Sequence, residues 1–149
     1  GEAFDKAQQG AGMNIPTGGE IFLSVRKHDR VAILAIGKYF ADAGFRVFAT
    51  KGTARTLDER GVKVEVINKV KEGRPHIVDR IKNGRVSLIV NTTEGKQSLK
   101  DSYTIRREAL MHKVTYYTTV AGASAACEAH KVMGQFTINR LQDLHAELV

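Results

Sequence analysis

From Glu20 onward, short β-branched or apolar runs alternate with longer stretches whose apolar residues recur at helical spacing. That alternation limits the fold more than any other feature. It predicts a strand near Ile21–Val25, then a helix from about Asp29 carrying Ile33, Ile36, Phe40 and Ala43 and ended by Gly44. A strand Phe45–Ala49, a short helix about Thr53–Glu59 stopped by Gly61, and a strand Val62–Ile67 follow. Pro75 suits the first turn of a helix through Lys82 with Asn83-Gly84 as its stop, and Val86–Val90 is the most apolar strand. The pattern continues with a helix Ser102–His112, a strand Val114–Thr118, a helix about Ala121–Val132 and an amphipathic helix near Asn139–Leu148. Strands separated by helices predict an α/β fold: a doubly wound, five-stranded parallel sheet covered on both faces, Rossmann-like, with ligands at the carboxyl ends of the strands.

A chain of 149 residues is the length of one ordinary domain. With 42% apolar and 26% charged residues it is not composed like a disordered chain, and no run approaches the roughly 18 apolar residues of a membrane span. The N-terminus lacks a basic region followed by an apolar run, and the single Cys127 has no partner for an internal disulfide, which predicts a cytoplasmic setting without membrane contact. Gln8 to Gly19 has the composition of a linker. Gly1 to Gln8 begins abruptly, without an initiator Met or a capping box, which fits either a cut within a longer protein or a processed terminus.

The net charge of +7 points to an anionic partner. Between Arg46 and Lys113 lie 16 basic and 8 acidic residues, so the excess sits in the middle of the chain. The basic residues are scattered among Gly, Thr and Asn, and aromatics that stack bases are few, which favours a local anion site over a nucleic-acid groove.

Three polar clusters fall at the carboxyl ends of consecutive predicted strands, so the fold brings them to one edge of the sheet. Thr50-Lys51-Gly52-Thr53 is a strand–turn–helix junction where hydroxyls, free N–H groups and the helix dipole favour an anion; an ordinary helix cap has the same look. In the stretch Asn68 to His76, Lys69 directly follows a strand and brings a point charge toward a phosphate; taken singly, this also fits a solvated loop. Asn91-Thr92-Thr93-Glu94-Gly95 offers amide and hydroxyl donors to a phosphate, base or ribose edge, and also suits an Asx or ST turn. Enzyme constellations find little support. Cys127 sits among small residues as core packing would have it, the five His residues share no metal-ligand spacing, and no carboxylate pair stands out.

Taken together, LSVRKHD (Leu23–Asp29), ATKGT (Ala49–Thr53), NKVKEGRPHIVDRIKNG (Asn68–Gly84), NTTEG (Asn91–Gly95) and DSYTIRREAL (Asp101–Leu110) closely resemble the C-terminal regulatory domain of the carbamoyl phosphate synthetase large subunit. The opening GEAFDKAQ resembles the end of the preceding ATP-grasp unit, which implies a tail and linker over 1–17 and an allosteric domain over 18–149. The resemblance implies a methylglyoxal-synthase-like fold that binds UMP as inhibitor and IMP as activator. Carried over, the nucleotide phosphate meets Thr50, Thr53 and Lys69 beside Gly52, with Asn91, Thr92 and Thr93 completing the pocket. Arg30 stands where the family carries Lys, and Glu94–Gln97 is less basic than the family version. Ornithine, by the same resemblance, touches Tyr116 and Thr118. No cofactor is implied for this domain; ATP, Mg or Mn, and K belong to the rest of the parent enzyme. Its implied partners are the remainder of the large subunit and the glutaminase small subunit, with self-association of the domain also open. The sharpest rival is methylglyoxal synthase itself, a lyase on dihydroxyacetone phosphate, but aligning the loops puts Arg74 and Thr93 where its catalytic aspartates stand; a second, the inosine-monophosphate cyclohydrolase domain, lacks the EGRPHI segment.

Overall fold

A computed structural model describes residues 19–133 apart from 70–72, 74 and 75. Five strands, β1 (Glu20–Ser24), β2 (Arg46–Ala49), β3 (Glu65–Val66), β4 (Val86–Asn91) and β5 (Thr115–Tyr117), form one sheet in the order β3-β2-β1-β4-β5. Every pairing is parallel, so the α/β expectation holds. Between the strands run α1 (Ile33–Asp42), α2 (Lys51–Glu59), α3 (Ile77–Lys82) and α4 (Gly95–Met111). A fifth helix, α5, covers 120–133.

The central strands β1, β2 and β4 are apolar because both faces of the sheet are buried there, whereas the edge strand β3 is exposed. All five residues of β1 are buried, and their side chains alternate between two layers. Ile21 and Leu23 pack with Val47, Ala49, Leu88 and Val90 beneath α1, α2 and α5; Phe22, Phe48 and Ile89 pack on the other face beneath α3 and α4. Cys127 is buried in the first layer, and burial pushes its thiol up to about 11, as suits a packing residue. Gly44 and Gly84, at φ of +94° and +75°, end α1 and α3 in the left-handed conformation that glycine adopts without steric cost.

Several boundaries depart from the periodicity. The predicted strand Val62–Ile67 contracts to Glu65–Val66 at the sheet edge, because Val62 and Ile67 turn into the core from flanking loop. The helix expected from Asp29 starts at Ile33, after a 3-10 turn over Lys27–Asp29 in which Arg26 Nε donates to Asp29 Oδ2 at 2.8 Å. α4 starts at Gly95 and not at Ser102, so the NTTEG segment is divided between a strand end and a helix start. The expected helix near 139–148 and the 1–17 tail lie outside the described residues.

The strand order has a functional consequence. The chain leaves β1 toward β2 on one side and returns to β4 on the other, so the helices beside these two strands lie on opposite faces. A crevice opens between their carboxyl ends.

Candidate functional site

A cleft of roughly 430 Å³ occupies that crevice, lined by Ser24, Val25, Arg26, Lys27, Arg30, Lys69, Asn91, Thr92, Thr93, Glu94, Ser102 and Ile105. Arg30, Lys69, Asn91, Thr92 and Thr93 are thereby brought together from three separate stretches of chain. Four cations line the cleft against the one carboxylate of Glu94. The field inside it favours an anion.

Thr50, Gly52 and Thr53 do not line the cleft: the two threonines are buried against Ser24 and Val25, and Gly52 lies against Arg30. Thr50 is the extended N-cap of α2, but its hydroxyl does not cap the helix; it donates to Ser24 Oγ at 3.2 Å. The first amides of an α-helix have no acceptor within it and the positive end of the helix dipole lies there, so the start of α2 has the polarity that attracts an anion. Thr53 is fully buried, and its hydroxyl accepts the Val25 N–H at 3.1 Å and lies 3.4 Å from the Val25 carbonyl. Thr92 Oγ1 accepts the Arg26 N–H at 2.9 Å, while its own N–H donates to the Ser24 carbonyl. These two threonines fasten the segment that leaves β1, and so set the floor of the cleft.

The Arg30 guanidinium lies against the bare Cα of Gly52, and its Nε is buried without a hydrogen-bond partner among the described residues. Lys69 is exposed at the cleft rim. On the opposite wall, the Asn91 side-chain nitrogen donates to Ser102 Oγ at 2.9 Å and to the Tyr116 hydroxyl at 2.8 Å. Burial raises the Tyr116 pKa, while the hydrogen bond from Asn91 and the nearby Arg106 act against that rise. Thr118 follows β5 and is exposed.

A family profile described as the MGS-like domain matches residues 32–118. The chain belongs to the MGS-like domain family. The chain is 53% identical over 148 residues to the carbamoyl phosphate synthase large chain of Pseudomonas syringae pv. tomato, and 54% identical over 148 residues to that of Pseudomonas putida. These alignments take in 99% of the chain but only 14% of each relative, so the chain spans about one-seventh of the curated relatives it matches. Among solved structures, methylglyoxal synthase from Elizabethkingia anophelis NUHP1 superposes with a TM-score of 0.61 at 14% identity, over 76% of this chain and 79% of that one. That likeness is one of fold.

Within this MGS-like domain, reading from the sequence found the strand-end clusters but overlooked Ser24, Arg26, Lys27 and Ser102 as part of the cleft wall. For the first three a signal was present: Ser24 ends an apolar strand, and Arg26 and Lys27 come just after it. Arg74 lies outside the described residues, while Thr93 lines the cleft with a hydroxyl. Among the described residues no helix is long and apolar enough to cross a membrane, and no His, Cys, Asp and Glu gather as a metal site.

Proposed function

We propose that this MGS-like domain is the regulatory module of a carbamoyl phosphate synthase large chain, and that its cleft takes nucleoside monophosphate effectors, UMP as inhibitor and IMP as activator. Such binding controls carbamoyl phosphate synthesis for pyrimidine and arginine biosynthesis. The domain itself is not catalytic; the parent is an ATP-dependent ligase that uses Mg or Mn and K and works with a glutaminase small subunit. The observation that carries the reading is the cationic cleft at the crevice between β1 and β4, of a size suited to a small organic ligand. The 5′-phosphate goes to the start of α2 with Arg30 and Lys69, and the nucleoside extends toward Asn91 and Thr93. Tyr116 and Thr118 contribute to an ornithine site completed by the rest of the large chain. A lyase acting on dihydroxyacetone phosphate needs carboxylates placed to move protons, and Glu94 is the one carboxylate lining the cleft among the described residues.

Calorimetric titration of the chain with UMP, IMP and ornithine in separate runs tests the proposal. UMP and IMP are expected to saturate one site and to exclude each other, since both present the same phosphate to one cradle. Ornithine alone is expected to bind weakly. Absence of saturable nucleotide binding, or generic DNA binding with a steep salt dependence, refutes it.

A further inference from the structure

Asn91 ends β4 and is 5% exposed, and its side-chain nitrogen donates to two hydroxyls, one on α4 (Ser102) and one on β5 (Tyr116). An amide nitrogen carries two hydrogens, and both are used. What Asn91 has left for the cleft it lines is its carbonyl oxygen, which accepts hydrogen bonds and cannot donate them. A phosphate, itself rich in acceptors, gains nothing there. The donors that suit a phosphate stand on the other wall, where Arg30 and Lys69 line the cleft beside the start of α2.

From this juxtaposition we propose that Ser102 and Tyr116 are positioning residues: they hold Asn91 with its carbonyl oxygen toward the ligand, so that the β4 wall reads a sugar hydroxyl or ring N–H while the phosphate lies against α2. The inference rests on the cleft being a nucleoside monophosphate site, and it assigns the two ends of that ligand to opposite walls. It also makes Tyr116 a member of the cleft's support although Tyr116 does not line the cleft. With the amide turned the other way, two N–H donors would face the ligand and the β4 wall would attract phosphate; the two orientations therefore predict different ligand dependence.

The test pairs Tyr116→Phe with Asn91→Ala and uses two probes, UMP and inorganic phosphate. Tyr116→Phe is expected to weaken UMP binding about 2- to 12-fold, the loss of one neutral hydrogen bond, and to leave competition by inorganic phosphate unchanged. Adding it to Asn91→Ala is expected to cost nothing further, because the hydroxyl acts only through the amide. In the ligand-free chain, the Asn91 side-chain amide hydrogens should exchange slowly with solvent, and quickly once Tyr116 is Phe. Equal weakening of UMP and inorganic phosphate by either variant overturns the orientation. Additive losses in the double variant, or fast exchange in the unaltered chain, overturn the positioning role. If the unaltered chain binds neither UMP nor IMP, the proposed function fails, and the exchange measurement still decides whether the two hydroxyls hold Asn91.

Discussion

Replacing Gly52 by alanine separates the seat of Arg30 from the stability of the fold. Gly52 lies in the first turn of α2, and a Cβ there would fall 2.1 Å from Arg30 Nη2 and 2.7 Å from Cζ. No side chain tolerates such contacts, so the guanidinium has to move. What moves is the end of a long flexible side chain and not backbone, so the cost to folding is small. It is offset by the roughly 0.5–1 kcal/mol by which alanine is favoured over glycine within a helix. Stability should therefore change by less than about 1 kcal/mol, which moves the thermal midpoint by roughly 5 °C or less. Affinity behaves differently. A charge-assisted hydrogen bond contributes about 1.5–3 kcal/mol, so a phosphate deprived of Arg30 binds about 10- to 150-fold more weakly. The assay is a UMP titration of the unaltered chain, Gly52→Ala, Arg30→Ala and the double variant, each with a thermal melt. The two single variants are expected to lose comparable affinity, and the double to lose no more than either, because both remove one contact. Losses that sum in the double variant, or a Gly52→Ala protein that binds normally while Arg30→Ala does not, would refute the argument that a bare Cα seats the guanidinium.

Other expectations follow from neighbouring groups. Lys69→Ala should raise the UMP dissociation constant about 10- to 150-fold, whereas Lys71→Ala, the control for general positive charge, should cost less than about 1 kcal/mol and fade with salt; equal losses at physiological ionic strength would mark a nonspecific basic surface. Turnover of dihydroxyacetone phosphate should not rise above a buffer blank, and any methylglyoxal above it would restore the lyase reading. His130 Nδ1 lies 2.5 Å from the Tyr39 hydroxyl, its ring packs on Phe40 and Phe45, and burial lowers its pKa below 6.5. The unfolded chain therefore takes up this proton first as the pH falls, and stability is lost from the unfolded pKa down through the folded one. Between about pH 7.5 and 5.5 the thermal midpoint should fall more for the unaltered chain than for His130→Gln, and parallel falls would exclude His130 as the cause.

The layered architecture was legible because burial on both faces of a parallel sheet makes each central strand an apolar run, and glycines in left-handed conformations punctuate the helices. Val86–Val90 and the Asn83-Gly84 stop are clear cases. Edges were less legible: β3 is only Glu65 and Val66, since Val62 is apolar for core contact and Ile67, also buried, adds a single N–H bond to the Ala49 carbonyl at 2.9 Å beyond the strand. The start of α4 at Gly95 escaped the periodicity because the first turns, Gly95 to Lys100, carry few apolar residues to mark a face.

By itself the sequence determined that this chain alternates strand and helix, that its excess positive charge lies mid-chain, and that Thr50, Lys69 and Asn91 sit at or just beyond strand ends. Those are properties of neighbours in the chain, and periodicity reports them directly. Only the tertiary structure decided what each polar group does, because its partner is set by strand order. Thr53 meets Val25 across 28 residues and Thr92 meets Arg26 across 66, contacts that exist because β1 lies between β2 and β4. The same order seats Arg30 on Gly52 and joins Asn91 to Tyr116, so the cleft's chemistry belongs to the packing of the sheet and not to any one motif.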